Sequence, residues 1–155
     1  MQLVNSAYRG EGAKAGWTTE ADLLDGLRTD EVSLTKTLEG PGASILVSVN
    51  EQDEIIGCVY LQQNGSVLYL GMLTVKPNLQ AKGIGKQLLN AANAHALESG
   101  CSKITMTVIS VRAELIAWYE RHGYIKTGET KPFPKDPSFG IPKQDLEFLV
   151  LEKII

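Results

Sequence analysis

The residues best suited to chemistry in this 155-residue sequence are Gln80-Ala81-Lys82-Gly83-Ile84-Gly85-Lys86. The paired glycines let a backbone come close to a ligand. Downstream, Ile84, Leu88, Leu89, Ala92 and Ala96 recur at helical spacing and predict a helix from about Gly83 to Ser99. The first N–H groups of such a helix have no intrahelical acceptor, and the helix start carries partial positive charge. Lys82 and Lys86 add to that field. The chemistry on offer is anion binding, and phosphate suits it. No Gly-Lys-Ser/Thr follows at P-loop spacing, and no G-x-G-x-x-G occurs, so neither nucleotide fingerprint applies. A Gly-x-Gly alone is equally compatible with a tight turn that binds nothing.

Upstream, Ser66 to Val75 is a nearly unbroken apolar run rich in β-branched and aromatic residues, which reads as a buried strand. Pro77 ends it, lacking an N–H for the ladder. This strand–turn–helix resembles the acetyl-CoA motif of the GNAT family of N-acetyltransferases, V-x-P-x-x-Q/R-x-x-G-x-G/A. It is complete here as Val75, Pro77, Gln80, Gly83 and Gly85. The resemblance implies acetyl-CoA as co-substrate, held by Leu73, Thr74, Val75, Gln80, Ala81, Lys82, Gly83, Ile84, Gly85 and Lys86, with no metal.

Acetyl transfer from a thioester to an amine needs a deprotonated amine, a donor for the developing oxyanion, and an acid for the departing thiolate. By resemblance the donors are backbone N–H groups of Leu73 and Val75, in a strand that splays from its neighbour; their side chains are expected to be core. The segment Ala117-Trp-Tyr119-Glu-Arg-His-Gly123-Tyr124 resembles the family's second signature, which makes Tyr119 the candidate acid. A phenol with a pKa of about 10 is protonated at neutral pH; the plain alternative is a packed ring with its hydroxyl bonded elsewhere. Where the family often has Asn and Ala, seven and four residues before this tyrosine, Arg112 and Leu115 stand here. Arg112 is therefore a candidate for a CoA phosphate, or for a surface ion pair. Glu20, Glu54, Asp145 and Glu147 are candidate bases beside a water-mediated route. No Ser/His/Asp or Cys/His pattern supports a covalent enzyme intermediate, so direct attack in a ternary complex is expected.

Two stretches are suited to the acceptor. Tyr8-Arg9 and Gly16-Trp17-Thr-Thr-Glu20 place aromatic, cationic and hydroxyl groups around a glycine-rich loop. Phe133 and Phe139 flank a proline-studded loop whose conformations are restricted. If Arg9 meets a carboxylate, the acceptor is an amino acid or similar zwitterion.

The elements that must position these groups follow in order. Met1–Tyr8 reads as a helix under way, Glu20–Asp25 and Glu31–Leu38 as short helices, the second stopped by Gly40-Pro41-Gly42. Strands are expected at Ser44–Val49, Glu54–Leu61 and Ser66–Val75, with an Asn64-Gly65 hairpin. After the long helix come a strand at Lys103–Ile109, a helix at Glu114–Arg121, and a strand that begins over Tyr124–Gly128. A loop over Lys131–Pro142 and a strand at Leu146–Glu152 close the chain. A helix between two apolar strands implies a parallel crossover. The expectation is one domain over residues 1–155 with an α/β (α+β) fold: a mixed, mostly antiparallel central sheet flanked by helices. The family opens with a strand before its first helix; only Met1–Val4 stand in that place, so the first strand is expected to be missing or truncated. A homodimer is expected to cover the face so exposed.

Hydrophobic content of 43% and charged content of 21% are ordinary for a globular domain. A net charge of −3 without a basic block argues against nucleic acid and anionic membranes as partners. Cys58 and Cys101 lack metal spacing and read as reduced core thiols of a cytoplasmic protein. The resulting expectation is acetylation of a primary amine on a small or amino-acid-like acceptor. The alternatives are a protein acetyltransferase acting on lysine or an N-terminus, and a CoA-binding sensor without turnover.

Overall fold

The structure, a computed structural model, describes residues 24–25, 36, 38–80, 82–132, 141–142 and 146–155. Its strands are β1 (Leu24–Asp25), β2 (Ala43–Val49), β3 (Ile55–Asn64), β4 (Val67–Val75), β5 (Lys103–Ile109), β6 (Ile125–Pro132), β7 (Ile141–Pro142) and β8 (Glu147–Ile154). Helix α1 (Ile84–Glu98) follows β4 and helix α2 (Ala113–Arg121) follows β5. Six strands form one sheet in the order β2-β3-β4-β5-β8-β6. All its pairings are antiparallel except β4–β5, the parallel crossover built by α1.

The β2–β3–β4 meander turns at Gly65, whose φ of +60° suits the Asn-Gly hairpin. Helix α1 buries Leu88, Leu89, Ala92 and Ala96, one stripe at helical spacing, against this meander. Its approach is close at Gly57 of β3, where a Cβ would lie 3.0 Å from Ile84 Cγ2 and 3.1 Å from Leu88 Cδ1. Both cysteines are buried free thiols. Among the described residues, no helix is long and apolar enough to cross a membrane.

Two expectations are corrected. The helix expected over Glu20–Asp25 does not reach its end, because Leu24–Asp25 is extended and pairs antiparallel with Ile141–Pro142. Six residues are too few for propensity to sustain a helix, so backbone pairing with a distant segment decides. That pairing also interrupts the loop expected to run to Pro142. The strand expected to begin over Tyr124–Gly128 runs from Ile125 to Pro132 and so takes in Lys131 and Pro132, where the loop is expected to start. Gly128, at φ +89°, lies inside a bulge where the register shifts between Lys126 and Thr130, so it bends the strand without ending it. Pro132 is tolerated because β6 ends the sheet order. The helix expected over Glu31–Leu38 is seen in Lys36, Leu38 and Glu39, with a bend at Gly40. The place of the expected first strand, Met1–Val4, lies outside the described residues, as does the rest of the Met1–Tyr8 helix.

Candidate functional site

Strand β4 pairs with β5 only from Val67 to Tyr69, so its second half diverges from that neighbour. It also carries a bulge. Cys58 faces Thr74 and Tyr60 faces Gly71, so Met72 and Leu73 together oppose Val59. Met72 sits at φ +49°, a left-handed conformation that non-glycine residues seldom adopt. The extra residue changes the parity of the strand. Leu68 and Leu70 face α1 before the bulge; Leu73 and Val75, odd-numbered, face the same way after it. Without the bulge, the even-numbered Thr74 would take that face.

Beyond the strand, Gln80 Nε2 donates to the Val75 carbonyl (3.0 Å) and ties the glycine turn to the strand end. Gly83 lies at φ +85° and serves as the N-terminal boundary of α1 without a side-chain cap. A Cβ there would meet no heavy atom within 4 Å. The first intrahelical bond runs from Gln87 N–H to Gly83 O (3.0 Å), so the N–H groups of Ile84, Gly85 and Lys86 precede the ladder. Gly85 is required for a different reason: a Cβ would lie 3.2 Å from Cη2 and Cζ2 of Trp118.

Trp118 belongs to α2, which crosses the mouth of α1. Its ring stands edge-on to Tyr119 (5.1 Å) and lies 4.4 Å from the His122 ring. The His122 Nδ1 is 2.7 Å from the Trp118 carbonyl. A carbonyl only accepts, so Nδ1 carries the proton of that bond. Tyr119 is buried, 5% exposed, with its ring edge-on to Tyr124 at 5.8 Å.

Strand, turn and helix enclose one cavity of about 590 Å³. Of the residues expected from sequence, Leu73, Val75, Gln80, Gly83, Gly85, Lys86 and Tyr119 line it. Leu73 and Val75 are buried, as expected of core side chains. Thr74, Lys82, Ile84 and Arg112 are not among the lining residues. Thr74 is fully buried, its Oγ1 donating to the Met72 carbonyl (2.8 Å); Lys82 is exposed and Ile84 packs on the core. Arg112 is the residue before α2, its carbonyl accepting from Ile116 N–H. Ala81, Tyr8, Arg9, Trp17, Phe133 and Phe139 lie outside the described residues, as do Glu20 and Asp145.

Sequence reasoning missed Glu114, Leu115, Ala117, Trp118, Arg121 and His122, which also line the cavity. The signal was available: 114, 115, 118, 121 and 122 share one helical face. Lys86 and Arg121 give the cavity cationic groups, against a single lining carboxylate, Glu114. Among the former base candidates, Glu54 is held in an ion pair with Lys76. The hydrogen bond and charge of Lys76 lower its carboxyl below the usual range, which makes it a weaker base. Glu147 is exposed at the start of β8, and its carbonyl accepts from Ser110 N–H (2.9 Å). Among the described residues, no group of His, Cys, Asp and Glu side chains is placed to hold a metal.

The model of a family described as the acetyltransferase (GNAT) family matches residues 11–124. A Bacillus subtilis (strain 168) protein, named as the uncharacterized protein YdhI, is 30% identical over 77 residues. That match covers 50% of this chain and 47% of the relative, so the chain spans about half the length of the curated relative it matches. An acetyltransferase from Bacillus cereus ATCC 14579 is 27% identical with a TM-score of 0.57, covering 73% of each chain. A GNAT family acetyltransferase from Elizabethkingia anophelis with acetyl-CoA bound is 16% identical with a TM-score of 0.65, covering 81% of this chain and 84% of its own.

Proposed function

Because the chain belongs to the acetyltransferase (GNAT) family, we propose that it moves an acetyl group from acetyl-CoA to a primary amine by direct attack in a ternary complex. The observation that carries this reading is a single cavity holding both the glycine turn at the mouth of α1 and the Tyr119 side chain. The turn fits a diphosphate on three counts. Gly83 leaves open space where a Cβ would stand, the first-turn N–H groups precede the ladder, and Lys86 and Arg121 line the same cavity.

When bound, acetyl-CoA supplies the acyl group as an activated thioester. The chain's part is to grip, orient and handle protons. The N–H groups at the start of α1 hold the phosphates, and the diverging half of β4 orients the arm along Leu73 and Val75. Forming the N–C bond and breaking the C–S bond requires one proton to leave the amine and one to reach sulfur. Tyr119 is the donor to sulfur in this reading. Buried beside Trp118 and Tyr124, its ring has little freedom to move away. The amine's proton leaves through water in this reading, and the ion pair with Lys76 makes Glu54 the poorer candidate for it.

The acceptor in this reading is a small or amino-acid-like amine. The protein is read as cytoplasmic and as a homodimer. Val47 and Val49 of β2, with Ile55 opposite Val49, are each about half exposed beside one another at the sheet margin, which supports the dimer. Light scattering at high dilution is expected to report twice the 16.9 kDa chain mass; a stable monomer would remove the dimer.

The test of the function is calorimetric binding of acetyl-CoA, followed by thiol release across a panel of small amines and lysine peptides. Binding with release on small amines is the expected result. Release on peptides alone would move the acceptor to protein, and binding without any release would leave a sensor. No binding would end the reading.

A further inference from the structure

Lys86, Arg121 and Glu114 all line the cavity, and all are exposed. Among the described residues none of them makes an ion pair; the pairs formed there are Lys76–Glu54 and Lys103–Glu152. The two cations stand on different elements. Lys86 is in the first turn of α1, where the N–H groups precede the helical ladder. Arg121 is the last residue of α2. Trp118 connects the two positions. Its ring lies 3.2 Å from where a Gly85 Cβ would stand in the first turn of α1. It also precedes Arg121 by one turn of α2, about 4.5 Å of helix rise, on the same face. His122 stands beside that ring at 4.4 Å, tied down by its Nδ1 on the Trp118 carbonyl (2.7 Å). The cavity thus presents a cation, an aromatic wall and a second cation, while Glu114 lies two turns away from Arg121, about 10 Å along α2.

We propose that Arg121 is a specificity-determining residue that binds the ribose 3′-phosphate of the co-substrate and so makes the chain prefer CoA over the same molecule lacking that phosphate. This rests on the acetyl-CoA reading above. CoA carries phosphate in two places, a diphosphate on the 5′ side of its ribose and a monoester on the 3′ oxygen, with adenine on the same sugar. Once the diphosphate takes the open turn and Lys86, the monoester needs a cation on another element, a sugar's width away. Arg121 is the remaining cation lining the cavity among the described residues. A guanidinium suits a phosphate monoester, because it offers two parallel N–H donors where an ammonium offers a point charge. The half-buried Trp118 ring, between the two charged positions, is then the surface for the flat purine. A cation in the last turn of a helix also favours the helix dipole. That role predicts a change in stability and none in ligand preference, so the two are separable.

Calorimetry at one low ionic strength compares CoA with dephospho-CoA, which lacks only the 3′-phosphate, in wild type, Arg121→Gln and Lys86→Gln. Both positions are exposed, so the variants are expected to keep the wild-type circular dichroism. Wild type is expected to prefer CoA by about ten-fold or more, the size of one charge-assisted hydrogen bond. In Arg121→Gln the preference falls to within about two-fold through loss of CoA affinity alone, and dephospho-CoA binds as it does to wild type. Lys86→Gln weakens both ligands alike and keeps the ratio, because the diphosphate is common to them. Equal binding of the two ligands by wild type would overturn the subsite and leave the function intact. A preference that survives in Arg121→Gln would do the same, as would one lost in Lys86→Gln instead. A wild type that binds neither ligand ends the functional reading and the subsite with it.

Discussion

Two places in this molecule depart from regular backbone geometry on the way into the cavity, and they are built in opposite ways. At Gly83 the left-handed turn stands in the open, with no heavy atom within 4 Å of where a Cβ would be. At Met72 the left-handed residue sits within a strand, its carbonyl met by Thr74 and Cys58. The first relies on a residue type, the second on neighbours. A ligand's phosphates need room and exposed donors, which glycine alone provides. In the function proposed above, the turn is the part suited to binding, whereas the bulge is held by its neighbours.

The largest expected effect comes from putting charge into the open turn. Gly83→Glu is expected to weaken CoA binding by roughly a hundred-fold, about 2.7 kcal/mol, while circular dichroism and the unfolding midpoint stay near wild type. Retained affinity by calorimetry would erase the division of labour. On the other side, Tyr119→Phe is expected to lower turnover by about ten-fold or more with CoA affinity nearly unchanged. A matched loss in both would make Tyr119 part of the grip.

A subtler case divides the two glycines of the turn. Gly85→Ala is expected to cost about 1–2 kcal/mol in unfolding free energy, because its Cβ meets the Trp118 ring at 3.2 Å. Pairing it with Trp118→Phe, which removes the crowding atoms, is expected to recover most of that loss in a urea titration. Failure to recover would mean that the loss does not come from the contact with the tryptophan.

The smallest effect tests a residue that belongs to neither region. Tyr124 is buried with its hydroxyl unpartnered, and burial pushes its phenol well above the ordinary range. Tyr124→Phe is expected to raise stability by about 1 kcal/mol, since an unsatisfied buried group is removed. The sign with pH follows from the raised value. Below about pH 10 the phenol is neutral in both states and the profile is flat; above it the unfolded tyrosine ionises first, and stability falls. The phenylalanine variant is expected to lose less stability than wild type over that alkaline window.

The same contrast explains what the sequence revealed. The turn was legible because a glycine at 83 is the cheap way to form its left-handed backbone, and Pro77 marks the strand end. The long helix and the Lys103–Ile109 strand were legible from periodicity. The bulge was not, because a methionine carries no signal for positive φ, and the contacts its carbonyl makes come from a threonine two residues on and a cysteine across the strand. The pairing of Leu24–Asp25 with Ile141–Pro142 was hidden for a similar reason, since long-range backbone pairing leaves little trace in six residues. The cavity face of α2 lay within reach, had the helical neighbours of Tyr119 been followed beyond the motif.

Gly57 gives one further consequence. With no side chain there, Ile84 and Leu88 seat directly on β3, and Gly57 is itself the register partner of Val75. The mouth of the helix and the end of the strand are thereby bolted to the same rung of the sheet. The span from the glycine turn to the bulge is thereby a fixed length, and under the proposed function it sets the length of the arm that fits along it.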